Sequence, residues 1–166
     1  MRHAAIIVTA AGLALLGSVG AARADDTRHL RTIFTGDGKC LDIVNDGRNN
    51  QLNMAACGNV TGQMWSMTPT GNPGGYRLRT VFTGGQKCLD IVNDGKNNGL
   101  IMAPCGNYSG QAWLISPSDS PGYSRLRTDF TGKDNCLDIV NDGRNNRVIM
   151  APCGNYSGQS WSISAK

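Results

Sequence analysis

The feature that most restricts the fold of this chain is one segment that occurs three times at a constant spacing of 48 residues. The sequence C-L-D-I-V-N-D-G begins at Cys40, at Cys88 and again at Cys136. A Gln-x-Trp triplet follows each copy at the same spacing, so the repeats leave no room for a second domain. The repeats that we assign are residues 25–70, 71–118 and 119–166.

Short apolar segments within each repeat predict β-strands, because no stretch has helical periodicity over about ten residues. Examples are Thr32–Thr35, Cys40–Val44, Leu100–Ala103 and the residues around each Trp. Gly, Asn, Asp and Pro separate these segments, and Asn45-Asp46-Gly47 has the residue types that a tight hairpin turn prefers. Four strands per repeat predict an all-β fold of about twelve short strands.

A closed threefold arrangement suits these repeats better than an open array. There are three copies, and neither end has the divergent polar cap that an open solenoid needs. Closure also removes the sheet edges that an open all-β chain must protect.

The first 24 residues have the pattern of a secretory signal peptide. A short positive region precedes the uncharged apolar segment Ala4–Val19, and Ala22-Arg23-Ala24 follows. The apolar segment is shorter than the roughly 18 residues of a spanning helix, which favours cleavage near Ala24 over an uncleaved anchor. We therefore expect a single domain of residues 25–166 that is secreted or periplasmic, with no membrane insertion.

The charge of the mature chain argues against nucleic acid as a partner. Removal of Arg2 and Arg23 with the leader lowers the formal net charge from +4 to +2. Phosphate binding needs a dense basic face, which a nearly neutral domain does not supply.

All six cysteines lie in the repeats, and an even number in an exported chain indicates disulfides. Repeat symmetry favours bridges within each repeat over the other pairings. The predicted pairs are Cys40 with Cys57, Cys88 with Cys105, and Cys136 with Cys153. A zinc site is disfavoured because no C-x-x-C spacing occurs and the mature chain has one histidine, His29. We expect no metal and no other cofactor.

The residue types of the chain also argue against an enzyme. It has no Glu, and all twelve acidic residues are Asp. Glycoside hydrolysis needs two carboxylates at a fixed separation, whereas threefold repetition places identical Asp residues far apart, one in each repeat.

Three repeats with Cys-x-Asp, a second Cys and then Gln-x-Trp resemble the ricin B-chain type (R-type, Q-x-W) lectin domain over residues 25–166. The resemblance implies a β-trefoil, which is a six-stranded barrel capped by three hairpins. It also implies a non-catalytic carbohydrate-binding protein with up to three weak sites and with glycans or glycoconjugates as partners. A separate catalytic or toxin chain is a further partner that the resemblance allows.

The Q-x-W residues are interpreted as structural, with each Trp in the core and each Gln holding local backbone. They are Gln63, Trp65, Gln111, Trp113, Gln159 and Trp161. The recurring Phe34, Phe82 and Phe130 are expected in the core by the same periodicity.

The resemblance places the sugar-binding carboxylate of each repeat on the Asp of C-L-D-I. These residues are Asp42, Asp90 and Asp138. A carboxylate accepts strong hydrogen bonds from neighbouring sugar hydroxyls. The alternative is that each Asp only caps a turn, but Asp is disfavoured within an apolar strand, which favours binding.

The chain departs from the family pattern at the rest of the site. The usual stacking aromatic is replaced by Ala55, Ala103 and Ala151. The usual amide before the Q-x-W Gln is replaced by Gly62, Gly110 and Gly158. The first repeat alone has an amide, Asn53, four residues before its second Cys.

The loop after the second Cys supplies substitutes for the missing ring and amide. The candidate rings are Tyr108 and Tyr156, and the candidate amides are Asn59, Asn107 and Asn155. The first repeat has Val60 in place of Tyr, which predicts a weaker site. The alternative is that both tyrosines pack over the disulfides, and the sequence favours neither interpretation.

The sequence thus predicts a secreted lectin. A second hypothesis is a β-trefoil protein-interaction or inhibitor module that has lost sugar binding, as the missing ring would allow. A third is the binding subunit of a separate toxin or glycosidase.

Overall fold

The computed structural model describes residues 27–165, where the regular structure consists of short strands and three-residue 3₁₀ helices. The predicted signal peptide, residues 1–24, lies outside this range. The strands are β1 (Arg28–Thr32), β2 (Lys39–Ile43), β3 (Leu52–Ala56), β4 (Trp65–Pro69), β5 (Gly75–Thr80), β6 (Lys87–Ile91), β7 (Leu100–Pro104), β8 (Trp113–Pro117), β9 (Ser124–Thr128), β10 (Asn135–Ile139), β11 (Val148–Pro152) and β12 (Trp161–Ala165). The 3₁₀ helices are Gly36–Gly38, Thr61–Gln63, Gly84–Gln86, Ser109–Gln111, Gly132–Asp134 and Ser157–Gln159. None of the helices between residues 27 and 165 is long and apolar enough to cross a membrane.

Six of the strands form a closed antiparallel barrel in the order β1-β12-β9-β8-β5-β4. The other six form three separate hairpins, β2–β3, β6–β7 and β10–β11. The first and last strands are neighbours, with Leu30 opposite Ile163. This is the β-trefoil, and it confirms the closed threefold arrangement and the twelve strands expected from the repeats.

The core takes equivalent residues from each repeat. The completely buried side chains include Leu30, Leu41, Trp65, Leu78, Leu89, Trp113, Leu126, Leu137 and Trp161. Each indole also donates a hydrogen bond to the hairpin, as Trp65 Nε1 does to the carbonyl oxygen of Leu41 at 2.8 Å. The barrel and the hairpins therefore share one core. The expectation for the phenylalanines needs correction, because Phe34, Phe82 and Phe130 are only partly buried at the edge of that core.

The strand predicted at Thr32–Thr35 is wrong in its position. Strand β1 ends at Thr32, whose Oγ1 accepts a hydrogen bond of 3.2 Å from the backbone N–H of Thr35. Gly36 follows with a φ of 61°. The threonine side chain thus closes a turn at the point where the apolar pattern suggested that the strand continues.

The hairpin connection is longer than the tight turn predicted at Asn45-Asp46-Gly47, because residues 44–51 separate β2 from β3. Asp46 Oδ1 accepts hydrogen bonds from the backbone N–H groups of Arg48 at 3.0 Å and Asn49 at 2.9 Å. Asn49 adopts a φ of 52°, which asparagine tolerates better than most residues. The bonds to Asn49 and then Arg48 hold the pKa of Asp46 below its ordinary value.

A disulfide closes each hairpin, and the predicted pairing is confirmed. The bridges are Cys40–Cys57, Cys88–Cys105 and Cys136–Cys153, each with a Cα–Cα distance of 5.0 Å. Closing loops of this size stabilises the fold by roughly 3 kcal/mol for each bridge. Three disulfides are typical of a protein that works outside the reducing cytosol.

Candidate functional site

The three aspartates of the C-L-D-I segments occupy equivalent positions near the end of the first hairpin strand. Asp42 lies in β2 between the buried Leu41 and Ile43. Because alternate residues of a strand point to opposite faces, the core residues place the carboxylate on the outer side of the hairpin, where it is half-buried. Asp90 in β6 and Asp138 in β10 repeat this arrangement.

Both oxygens of each carboxylate accept a hydrogen bond from the protein. In the second repeat, Asp90 Oδ1 accepts from the backbone N–H of Ile91 at 2.7 Å, and Oδ2 accepts from Gln111 Nε2 at 2.8 Å. The corresponding distances are 2.7 and 2.9 Å at Asp42 and at Asp138. An ionised carboxylate offers about four acceptor positions, so two remain for a ligand on a side chain whose orientation is already set.

The Q-x-W glutamine connects this carboxylate to the loop after the second Cys. Gln111 is buried, and its Nε2 also donates to the carbonyl oxygen of Pro104 at 3.0 Å. Its Oε1 accepts from the backbone N–H of Gly106 at 2.9 Å. The glutamine therefore holds backbone and orients the aspartate at the same time. The hydrogen bond from Gln111 to Asp90 was not predicted from the sequence, because 21 residues separate the two.

The glycine before each glutamine is required by the aspartate. A Cβ added to Gly110 would lie 2.3 Å from Asp90 Oδ1. The equivalent distances are 2.2 Å at Gly62 and 2.3 Å at Gly158. Such contacts are too short for any side chain while the carboxylate keeps this position, so the amide that the family pattern places here is incompatible with the observed orientation of the aspartate.

A cleft lies beside each carboxylate, and each cleft includes a Phe from the next repeat around the ring. We name the three after their aspartates. The Asp42, Asp90 and Asp138 clefts measure about 250, 370 and 330 Å³ and include Phe82, Phe130 and Phe34 respectively. These Phe residues were missed as site residues, although their recurrence every 48 residues was a signal. Backbone bonds hold two of them against the preceding repeat, from Phe82 N–H to Thr61 O at 3.2 Å and from Phe34 N–H to Ser157 O at 3.3 Å.

The tyrosines of the second and third repeats line the clefts of those repeats. Tyr108 lines the Asp90 cleft and is 63% exposed, and Tyr156 lines the Asp138 cleft and is 61% exposed. A Cβ on Gly106 would lie 2.3 Å from the Tyr108 ring, as would one on Gly154 from the Tyr156 ring. Each ring thus rests against the chain that follows the second Cys and leaves most of its surface open. Most of each ring is therefore exposed, and the contact that the structure shows is with Gly106 or Gly154.

The predicted amides are divided between the clefts. Asn107 and Asn155 line the Asp90 and Asp138 clefts, whereas the exposed Asn59 is not among the residues that line the Asp42 cleft. Asn53 lies opposite Asp42 across the hairpin, also outside the lining of that cleft. The clefts are lined instead by asparagines that the sequence pattern assigned to the hairpin turn. These residues are Asn45, Asn93 and Asn141.

The alanines at the usual aromatic position lie away from the clefts. Ala55, Ala103 and Ala151 pair with Cys40, Cys88 and Cys136 across the hairpins. Among the described residues that line the Asp42, Asp90 and Asp138 clefts, none is one of these alanines.

Structural comparison finds the same fold in proteins of low sequence identity. The designed 3-fold symmetric protein ThreeFoil matches with a TM-score of 0.70 and 21% identity, over 84% of this chain and 98% of that chain. A chain of the Haemophilus ducreyi cytolethal distending toxin matches with a TM-score of 0.68 and 20% identity, over 92% and 95%. SeviL, solved with an asialo-GM1 saccharide, matches with a TM-score of 0.63 and 16% identity, over 84% and 97%.

Sequence comparison identifies the family directly. Comparison with curated proteins gives no match. The family model described as the ricin-type beta-trefoil lectin domain matches residues 26–161, which is most of the chain. The fold, the three Q-x-W triplets and this match agree, and the chain belongs to the ricin-type β-trefoil lectin family, whose domains are carbohydrate-binding modules.

Proposed function

We propose that this protein is a secreted, non-catalytic lectin that binds neutral sugars in the Asp90 and Asp138 clefts, and more weakly in the Asp42 cleft. The observation that carries the proposal is the carboxylate fixed by Gln111 and the Ile91 backbone at the side of an open cleft with aromatic walls. The equivalent contacts at Asp42 and Asp138 repeat this arrangement.

The chemistry of the clefts suits a pyranose. The free acceptor positions of Asp90 take hydrogen bonds from two neighbouring hydroxyls, and charge-assisted bonds of this kind are strong. Phe130 and Tyr108 offer apolar surface to the C–H face of the ring, while Asn93 and Asn107 add amide donors and acceptors. The Asp42 cleft has Val60 in place of a tyrosine, which is the basis for its lower expected affinity.

The number of carboxylates supports binding over catalysis. Among residues 27–165, each of the three clefts is lined by one carboxylate. The usual mechanisms of glycoside hydrolysis need one carboxyl group as acid and a second as nucleophile or base.

Repetition of a weak site around one rigid domain suits a surface that carries many copies of a glycan, because several simultaneous contacts raise the overall affinity. We infer that the glycan is a surface glycoconjugate. We infer further that residues 25–166 act after removal of the leader, which the three disulfides support. The likeness to a chain of the cytolethal distending toxin adds a second candidate role, that of binding subunit for a separate toxin chain.

A glycan array probed with oxidised residues 25–166 tests the proposal. The comparison is the variant with Asp42→Ala, Asp90→Ala and Asp138→Ala together, with Asp134→Ala as an exposed control. We expect a defined set of neutral glycans to bind the wild-type domain and the control but not the triple variant. Circular dichroism of the triple variant must show a folded domain, because each aspartate also holds a glutamine. No binding by the wild-type domain contradicts the proposal and favours a protein-interaction module.

A further inference from the structure

A second cleft, of about 330 Å³, adjoins the Asp90 cleft and shares three of its lining residues. The shared residues are Asn107, Tyr108 and Ser109. Tyr108 therefore borders both clefts, and the two clefts meet at this residue. We name this second cleft the Arg77 cleft.

Polar groups with free hydrogen-bonding capacity line the Arg77 cleft. Arg77 Nη2 donates to the carbonyl oxygen of Gly106 at 2.9 Å, which fixes the guanidinium beside the residue that supports Tyr108. Asn72 Nδ2 donates to Asp129 Oδ2 at 2.9 Å. Within residues 27–165 the ion pairs are Arg31–Asp37 and Arg125–Asp119. Arg77 and Asp129 are in neither pair, so donors of the first and acceptors of the second remain for a ligand.

Three residues of this cleft, Asn72, Ala112 and Asp129, have no identical residue at the equivalent positions of the other repeats. The backbone N–H of Asp129 bonds to the carbonyl oxygen of Ala112 at 3.1 Å. The same bond joins Val81 to Met64 at 3.0 Å and Ile33 to Ser160 at 3.1 Å. The bonded pair is therefore Ala112 and Asp129 in this cleft. The equivalent pairs at the other two junctions are Met64 with Val81 and Ser160 with Ile33.

The arginine is also in a different state in each repeat. Position 77 corresponds to His29 in the first repeat and Arg125 in the third. Arg125 bonds to Gly154 O as Arg77 does to Gly106 O, but it is also paired with Asp119. The second repeat has Gly71 at the position of Asp119, so its guanidinium keeps donors for a ligand.

From these contacts we infer that the second repeat binds a neutral oligosaccharide of at least two units. The inference rests on the proposed function. One unit bonds to Asp90, the chain passes Tyr108, and the next unit bonds to Arg77, Asn72 and Asp129. The cleft offers one cation and one anion to the ligand, which suits hydroxyl groups, because a carboxylate on the second unit would meet Asp129. The clefts of the first and third repeats bind one unit each.

The test is an NMR titration of ¹⁵N-labelled residues 25–166, which reports each repeat separately without changing the other two. The probes are the methyl glycoside of the best monosaccharide from the array and its neutral disaccharide and trisaccharide extensions. We expect the affinity at the second repeat to rise with ligand length on the order of tenfold, the equivalent of one or two added hydrogen bonds. Amide signals of Asn72, Arg77 and Asp129 shift with the disaccharide and not with the methyl glycoside.

Two variants introduce residues that other repeats have at the equivalent positions, namely Met64 of the first repeat and Val81 of the second. Ala112→Met fills the Arg77 cleft, and Asp129→Val removes its acceptor; Ile33→Val at the third equivalent junction is the control. We expect both to remove the length dependence and to leave the affinity for the methyl glycoside unchanged, while the control alters neither. Equal affinity for all lengths at Asp90 overturns the inference and leaves the lectin standing. Absence of binding by every sugar overturns the proposed function itself, and the inference with it.

Discussion

Gln111 and Asp90 form one hydrogen-bonded unit, in which Gln111 Nε2 lies 2.8 Å from Asp90 Oδ2. The same amide holds the carbonyl oxygen of Pro104 and the N–H of Gly106. The residue that stabilises the loop therefore also orients the residue that we propose to bind sugar.

Replacement of Gln111 should damage both roles. Gln111→Ala leaves the Gly106 N–H and the Pro104 carbonyl without their part-buried hydrogen bonds, and we expect a loss of about 1–3 kcal/mol in the free energy of unfolding. The Asp90 carboxylate loses one of its two supports, so binding at the second repeat should weaken while the other repeats are unchanged. Urea unfolding and repeat-resolved NMR titration measure the two effects. The exposed Gln51→Ala is the control, and undiminished binding at Asp90 would show that the glutamine has no part in orienting the carboxylate.

Gly110→Ala should abolish binding at the second repeat, because the new Cβ would lie 2.3 Å from Asp90 Oδ1 and must displace the carboxylate. Gly58→Ala is the matched control, since a Cβ there meets no atom within 4 Å. We expect sugar binding at Asp90 to disappear in the first variant and to persist in the second, as measured by NMR titration. Normal affinity in Gly110→Ala would mean that the position of the carboxylate does not determine binding.

The residue after Asn107 should set the relative strength of the sites. Tyr108→Val places the first-repeat residue in the second repeat, and we expect lower affinity there. Stability should change by at most about 0.5 kcal/mol, because the ring is largely exposed. Val60→Tyr should strengthen the Asp42 cleft, since Gly58 has open space where the ring would rest. Equal affinities of all three clefts in the wild-type domain would contradict the role given to the tyrosines.

The hairpin loops should contribute to acid sensitivity. The pKa values of Asp46, Asp94 and Asp142 are lowered, chiefly by the backbone N–H groups of Asn49, Asn97 and Asn145. A carboxyl group whose pKa falls on folding stabilises the folded state above its unfolded pKa, about 3.9, and this contribution is lost as the pH falls through the folded pKa. Carboxyl ¹³C titration should give pKa values below the ordinary range for all three.

The variant Asp46→Asn keeps the acceptor of the loop and removes its titration. Its free energy of unfolding should therefore fall less steeply than that of the wild-type domain below about pH 4. Identical acid dependence of the two proteins would show that Asp46 is not linked to folding.

The sequence was most informative where the repeat itself carries the structure. The constant spacing of Cys40, Cys88 and Cys136 predicted closure of the barrel and the pairing of the disulfides, because equivalent segments fold alike. It was less informative where contacts join distant parts of the chain. Nothing local to Asp90 indicates that Gln111 would hold it.

Local pattern also misplaced particular residues. The apolar segment after Thr32 was predicted as a strand, but the side chain of Thr32 bonds to Thr35 and turns the chain. That turn moves Phe34 out of the barrel to the edge of the core, where it forms part of the Asp138 cleft. The 48-residue periodicity shows that a Phe recurs at this position. The hydrogen bonds of the turn determine whether its side chain lies in the core or in a cleft.

Each cleft is completed by a Phe of the neighbouring repeat, and this determines which circular permutants and single-repeat peptides keep a complete site. A ligand in the Asp138 cleft lies between the third repeat and Phe34 of the first, so it fastens together the two parts of the chain that β1 and β12 bring side by side. Occupancy there opposes separation of those strands and raises the melting temperature by mass action. A single 48-residue unit holds an Asp and a Phe that belong to different clefts. Such a peptide can complete a cleft only with the Phe of a second copy, whereas a circular permutant opened between β4 and β5 retains all three clefts.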